Sequence, residues 1–389
     1  MVSAILKGEN ASRTVRSFGL DTLRALAIVV VILYHLTIFG ELPVGIFPIT
    51  GFGWMGVDLF FVLSGFLIGQ QVLKPYLIGQ ELSIGDFYKR RAFRILPAYL
   101  VVLALYFFAP GWREFPNLAP LWKFMTFTMN FGFSYDQRAF SHAWSLCVEE
   151  HFYLVLPLLV TLLMRRPSVR KTVASLSFVV LFGIALRAFL ITQYPNKVLI
   201  LIYFPSVTRL DGLLVGVALA VIRTFRPSWW NSLKLRGHTL FLTGAVCIAG
   251  VVWMFRDDGL GESTGSAKWG IILGFPLLSL GIGLIVTSSV CENGLLARVK
   301  VPGAEFLATL AFSLYLTHKA IAHFIKVHFP DITSAQGPES WLLYAVGCLS
   351  VALLLHLAVE RPFLRFRDRV TRQKPTSAIE DESRAEPAL

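Results

Sequence analysis

An all-α membrane bundle of about ten transmembrane helices, with both termini in the cytoplasm, is the fold class that this 389-residue sequence predicts. Three observations predict it. The composition is 55% hydrophobic and 15% charged with mean hydropathy +0.63, against roughly 25% charged residues in soluble domains. Ten apolar runs are each long enough for a bilayer core of about 30 Å, which takes about 17 to 25 residues of helix. Lys and Arg are distributed unevenly between the connecting segments, 24 in those on one side and 6 in those on the other. Positive charge collects on the cytoplasmic side, so the bias places both ends there, and an odd number of spans would destroy it. The net charge of +12 is therefore mainly a topology signal and gives no reason to expect nucleic acid as a partner.

The runs begin near residues 20, 54, 94, 146, 173, 199, 239, 270, 306 and 341. Residues 1–19 form a basic cytoplasmic tail, 20–360 the membrane domain, and 361–389 a second cytoplasmic tail. The basic start before an apolar run also has the pattern of a signal peptide. Arg24 and His35 inside the run, and the lack of a small-residue cleavage site, argue against it. Residues 119–131 are apolar but too short to span, and are expected at the outer interface. The stretch after residue 375 is polar and acidic, the composition of a disordered tail, and no sizeable soluble domain is expected at either end. Cys147, Cys247, Cys291 and Cys348 are widely spaced and show neither a metal-ligand nor a disulfide pattern, so no metal is expected.

Charged side chains inside a membrane helix cost about 2.5–3.5 kcal/mol each, and they normally face a protein interior or a watery cavity. They therefore locate a site. Arg24 and His35 in the first span are eleven residues apart, three turns plus about 20°, and share one face about 16 Å long. The orientation puts Arg24 toward the cytoplasm and His35 toward the outside. Asp58 in the second span falls at the depth of His35, where a carboxylate can orient the imidazole. Glu149 and Glu150, at the start of the fourth span, fall at a similar level. A neutral imidazole held in this way can accept the proton of a hydroxyl. Simpler roles also fit these residues: a snorkelling arginine, a satisfied core histidine, and acids at helix starts.

Ser64 is the obvious nucleophile, although a Ser-Gly pair in a membrane helix also permits close packing. Arg91 and Arg94 share a face where the third span begins; such a pair suits phosphate, and so does ordinary inner-side placement. Arg209 and Asp211 in the sixth span cannot face lipid and must line the cavity or pair with other helices. The roles of Arg187, His318, Lys319 and His323 stay open. Glu360 to Pro362 is expected to stop the last helix.

Taken together, these segments resemble the acyltransferase 3 family, membrane acyltransferases of ten helices that include O-acetylases of bacterial glycans. The resemblance rests on Arg24 and His35 with ten residues between them, FFVLSGFL at 60–67, Arg91 with Arg94, and WSLCVEEHFY at 144–153, which begins at Trp144. TRLDGLLVG at 208–216, SLYLTH ending at His318, and the final ERP add to it. The resemblance implies an integral protein of the bacterial cytoplasmic membrane, with no permanently bound cofactor, that moves a short acyl group from cytoplasmic acyl-CoA to a sugar hydroxyl. It implies that His35 takes the hydroxyl proton, and with the two carboxylates placed at its depth the residues expected to be catalytic are His35, Glu149 and Asp58. Arg24, Arg91 and Arg94 would hold the CoA phosphates, and Ser64, Trp144, Arg209, Asp211 and His318 would line the cavity. The acceptor would be an extracytoplasmic polysaccharide, a lipid-linked glycan or a small sugar-bearing molecule, and homo-oligomers are compatible with it. An acyl-histidine intermediate is an alternative to direct attack. Intramembrane charges alone also suit a proton-coupled transporter, although no convincing inverted repeat is visible.

Overall fold

The computed structural model describes residues 17–42, 50–256 and 266–371. The first sixteen residues, residues 43–49 and 257–265 of the expected outer segments 40–53 and 255–269, and the acidic tail lie outside the described residues. All regular structure among the described residues is helical. In chain order the principal helices are α1 (Phe18–Ile38), α2 (Met55–Leu77), α3 (Ile84–Phe108), α4 (Trp144–Met164), α5 (Val169–Gln193) and α6 (Asp211–Phe225). They continue with α7 (Gly237–Met254), α8 (Phe275–Ser289), α9 (Ala304–His328), α10 (Pro338–Leu355) and α11 (Arg361–Val370).

Among the described residues, eight helices are long and apolar enough to cross a membrane. They are α1 to α5, α7, α8 with the π turn that leads into it, and the continuous rod from Pro338 to Val370. Two of the ten expected spans take another form. The sixth is broken: a π turn at Leu199–Tyr203 and a 3-10 turn at Ser206–Thr208 precede α6, which has only 15 residues. Pro205 interrupts the hydrogen-bond ladder there, and Arg209 lies just before the helix start. The ninth, α9, has 25 residues, but Glu305, Lys319, Lys326 and three histidines lower its apolarity. The short apolar stretch yields only a five-residue helix, Leu121–Met125, in agreement with its length.

The last helix does not stop at Glu360–Pro362. A π turn at His356–Glu360 carries it into α11, with Pro362 in the first turn, where a missing N–H costs little. Glu360 is buried at that turn rather than presented at a boundary.

The centre of the bundle is α2, the most buried of the eight, and its most extensive pairing is with α6. Small residues make that approach possible. A Cβ on Gly65 of α2 would lie 2.1 Å from the carbonyl oxygen of Leu213, and one on Gly216 of α6 would lie 2.3 Å from that of Val62. Gly216→Val is thus expected to destabilise the fold by at least about 1–3 kcal/mol, the usual range for overpacking. The check is the midpoint of thermal unfolding in detergent, and an unchanged midpoint would rule out this close approach. α1 lies between α2 and α9. That arrangement brings the polar faces of α1 and α9 together.

Candidate functional site

His35 lies in the last turn of α1, and its imidazole is half-buried. Its Nδ1 is 2.9 Å from the carbonyl oxygen of Val31, one turn earlier, and 3.1 Å from Nε2 of His318 on α9. The two rings have centroids 4.9 Å apart. His318 is buried, and its own Nδ1 faces the carbonyl oxygens of Tyr315 at 2.9 Å and Leu314 at 3.1 Å. A third imidazole, His142, lies on the 3-10 turn Ser141–Ala143 that leads into α4. Its centroid is 5.1 Å from that of His318 and 6.4 Å from that of His35, and its Nε2 is 3.3 Å from the Leu316 carbonyl oxygen. Beside this cluster, the buried ammonium of Lys319 meets Glu114 at 2.8 Å and Ser141 at 2.9 Å. Three histidines are in proximity, yet no group of His, Cys, Asp and Glu among the described residues has the arrangement of a metal site.

Polar groups continue from this cluster along α9. The Tyr315 hydroxyl donates to the His142 carbonyl at 2.7 Å and accepts from Ser145 of α4 at 2.5 Å. Deeper along α2 and α4, the Ser64 hydroxyl donates to Glu149 at 2.7 Å. The Arg91 guanidinium of α3 lies 4.4 Å over the ring of Tyr153, one turn below Glu149. Arg91 Nε and Glu150 Oε1 are buried without a hydrogen-bond partner among the described residues. Further along, Arg94 donates to Glu360 at 2.7 Å, and the same carboxylate accepts from Ser313 at 2.9 Å and His356 at 3.0 Å. Arg24 meets Asp21 at 3.4 Å. Ser313, Tyr315, His318 and Lys319 thus string polar contacts over about 9 Å of α9, at 1.5 Å per residue.

The expected site residues therefore divide into groups. His35 meets His318, and Ser64 meets Glu149. Glu149 sits one group deeper than the outer level that its position in the chain suggested. Asp58 does not orient His35. Both its oxygens accept from Nη2 of Arg209 at 3.0 Å, and both partners are buried. The reason is physical: a carboxylate held out of water gains most from a charge-assisted contact with a guanidinium, and leaving either ion unpaired would be costly. Asp211 is held similarly by Arg187 at 2.6 and 3.1 Å. The Arg209 guanidinium lies against Phe275 at 3.9 Å, Tyr203 at 4.8 Å and Trp144 at 5.7 Å. Asp58, Trp144, Arg187, Arg209 and Asp211 consequently form one ion-pair and aromatic cluster beside the histidines. Arg24, Arg91 and Arg94 each engage a different partner.

His142, Glu114 and Tyr315 are members that sequence reasoning missed. His142 precedes the fourth span, and Glu114 falls in an outer segment. Neither is an intramembrane charge by position. The signals available were the histidine two residues before WSLCVEEHFY and the tyrosine inside SLYLTH.

A family model described as an acyltransferase domain, Acyl_transf_3, matches residues 17–358. The chain is 28% identical over 363 residues to the O-acetyltransferase OatA of Staphylococcus aureus strain NCTC 8325 / PS 47, a match that covers 87% of this chain and 55% of the relative. The OatA proteins of strains COL and MRSA252 give the same identity and coverage. The chain therefore spans about half the length of these curated relatives. No solved structure matches.

Proposed function

Because this chain belongs to the acyltransferase domain family Acyl_transf_3, we propose that it is a membrane O-acyltransferase with His35 as general base. The donor in this proposal is acyl-CoA, with acetyl as the acyl group, and it approaches from the cytoplasm. The acceptor is a hydroxyl of a polysaccharide or lipid-linked glycan on the other side of the bacterial cytoplasmic membrane. The observation that carries this reading is the half-buried imidazole of His35 at the end of α1, joined to His318 of α9, whose Ser313 shares the Glu360 carboxylate with Arg94, while Ser64 with Glu149 and Arg91 over Tyr153 occupy the neighbouring helices. The orientation rests on the 24 to 6 bias of Lys and Arg. In the same proposal the broken segment 199–225 and α9 cross the membrane along with the eight apolar helices, which keeps both termini cytoplasmic.

In the reaction the acceptor hydroxyl oxygen attacks the thioester carbonyl while His35 takes the hydroxyl proton. The tetrahedral intermediate collapses with cleavage of the carbon–sulfur bond. The imidazolium returns its proton to the leaving thiolate, so that an ester and CoA thiol are the products. Glu149 and Ser64 line the path between donor and base. Arg24, Arg91 and Arg94 hold the phosphates of CoA, a role for which the planar guanidinium is suited, and the side chains of Arg24 and Arg94 are partly exposed.

Arg24→Ala is expected to raise KM for acetyl-CoA about 10–100-fold with kcat nearly unchanged, the cost of losing charged hydrogen bonds to a bound phosphate. Steady-state kinetics on the purified protein check this. A fall in kcat with KM unchanged would remove Arg24 from donor binding. The function itself is tested by mass spectrometry of envelope glycans with and without the protein. Loss of an O-acyl group supports the glycan acceptor, and no acyl difference on any glycan shifts the acceptor to a small sugar-bearing molecule.

A further inference from the structure

We infer that His318 is a positioning residue that sets the tautomer of His35, so that Nε2 of His35 is the nitrogen that takes the substrate proton. The inference rests on the proposed role of His35 as base. It follows from which atoms can only accept. A neutral imidazole carries one N–H and one lone pair, and a backbone carbonyl oxygen has no proton to give. His318 Nδ1 faces two carbonyl oxygens, those of Tyr315 and Leu314, so the proton of His318 sits on Nδ1. Its Nε2 then presents a lone pair. That lone pair is 3.1 Å from Nδ1 of His35, which must supply the hydrogen.

A second constraint gives the same answer independently. Nδ1 of His35 is 2.9 Å from the carbonyl oxygen of Val31, again an acceptor only. One N–H is therefore shared between Val31 and His318, and the lone pair of His35 is left on Nε2. The opposite assignment for His35 would set the lone pair of its Nδ1 against those of the Val31 carbonyl oxygen and of His318 Nε2. Nε2 of His35 has no hydrogen-bond partner among the described residues, and the half-buried ring leaves it open to a hydroxyl.

The other titratable groups packed around the pair make no hydrogen bond to His35 or to the His318 ring, and His142 Nδ1 is buried without a partner among the described residues. His142 faces the Leu316 carbonyl through Nε2, and Lys319 is held by Glu114 and Ser141. The orienting partner of His35 is thus a neutral imidazole, in the place where a carboxylate was expected. The chain of constraint runs from the backbone of α9 through His318 to His35, which ties the tautomer of the base to the packing of α9 against α1.

The test uses the full chain in nanodiscs, labelled with 15N-histidine, with the His35 signals assigned by difference against His35→Gln. In the wild type, His35 Nδ1 is expected to be protonated and Nε2 to be unprotonated. His318→Leu removes the acceptor and is expected to lower kcat about 100-fold with KM for acetyl-CoA almost unchanged. His318→Gln restores an oxygen acceptor near the position of Nε2 and is expected to recover kcat to within about tenfold of wild type. A glutamine variant as slow as the leucine variant would overturn the inference. So would a wild-type spectrum with the proton of His35 on Nε2. If the leucine variant fails to fold, the wild-type spectrum and the glutamine variant still decide. Retained transfer in His35→Ala would instead refute the base itself, while the spectrum would still report on the His318 contact.

Discussion

His35→Ala is expected to lower acyl transfer by about 10²–10⁴-fold, the range that a positioned general base contributes. The measurement is release of CoA thiol from acetyl-CoA in the presence of acceptor, on purified protein whose thermal unfolding matches the wild type. In the proposed mechanism the imidazole acts on the hydroxyl proton in the transition state and makes no contact with the phosphates of the donor, so the loss should fall on kcat. His35→Gln should be nearly as slow, since it keeps a polar group of similar length but no basic nitrogen. A mutant that released CoA at the wild-type rate would remove His35 from the chemistry.

The second large effect is on stability. Asp58→Ala is expected to destabilise the fold by about 3–5 kcal/mol, the cost of breaking a buried ion pair from one side. The substitution strands the Arg209 guanidinium, which is 0% exposed and whose Nε and Nη1 already lack partners among the described residues. The double substitution Asp58→Leu with Arg209→Met removes both charges and should recover most of the loss. Unfolding in detergent, followed by intrinsic fluorescence, checks both variants. If Asp58→Ala kept wild-type stability and lost only activity, the pair would be part of the chemistry and its structural role would be wrong.

Eight of the ten expected spans were legible because each is apolar along its own length, a local property of consecutive residues. The face shared by Arg24 and His35 was legible for the same reason, since helix geometry alone relates them. Partners across helices were not. Asp58 falls at a suitable depth to reach His35, but depth does not specify which neighbour a helix face meets, and Arg209 takes both of its oxygens. Arg187, whose role the sequence left open, proves to be the partner of Asp211.

The Arg and Pro that follow Glu360 give it the pattern of a helix stop. The π turn instead rotates its carboxylate into contact with Arg94, Ser313 and His356. His142 was invisible for another reason. It reaches the cluster from a 3-10 turn entered through Phe140 in a left-handed conformation, with φ 57°, which no periodic pattern announces.

The proposed function requires that an acyl group taken from CoA on the side of Arg24 be delivered to a hydroxyl on the side of His35. Sealed proteoliposomes with the protein in a known orientation test it directly. Radiolabelled acetyl-CoA is supplied only at the face nearer Arg24, and the glycan acceptor only at the opposite face. The expected result is labelled acceptor on the opposite side, formed by the wild type and absent with His35→Ala. Label that appears only when donor and acceptor share one face would contradict transfer across the membrane.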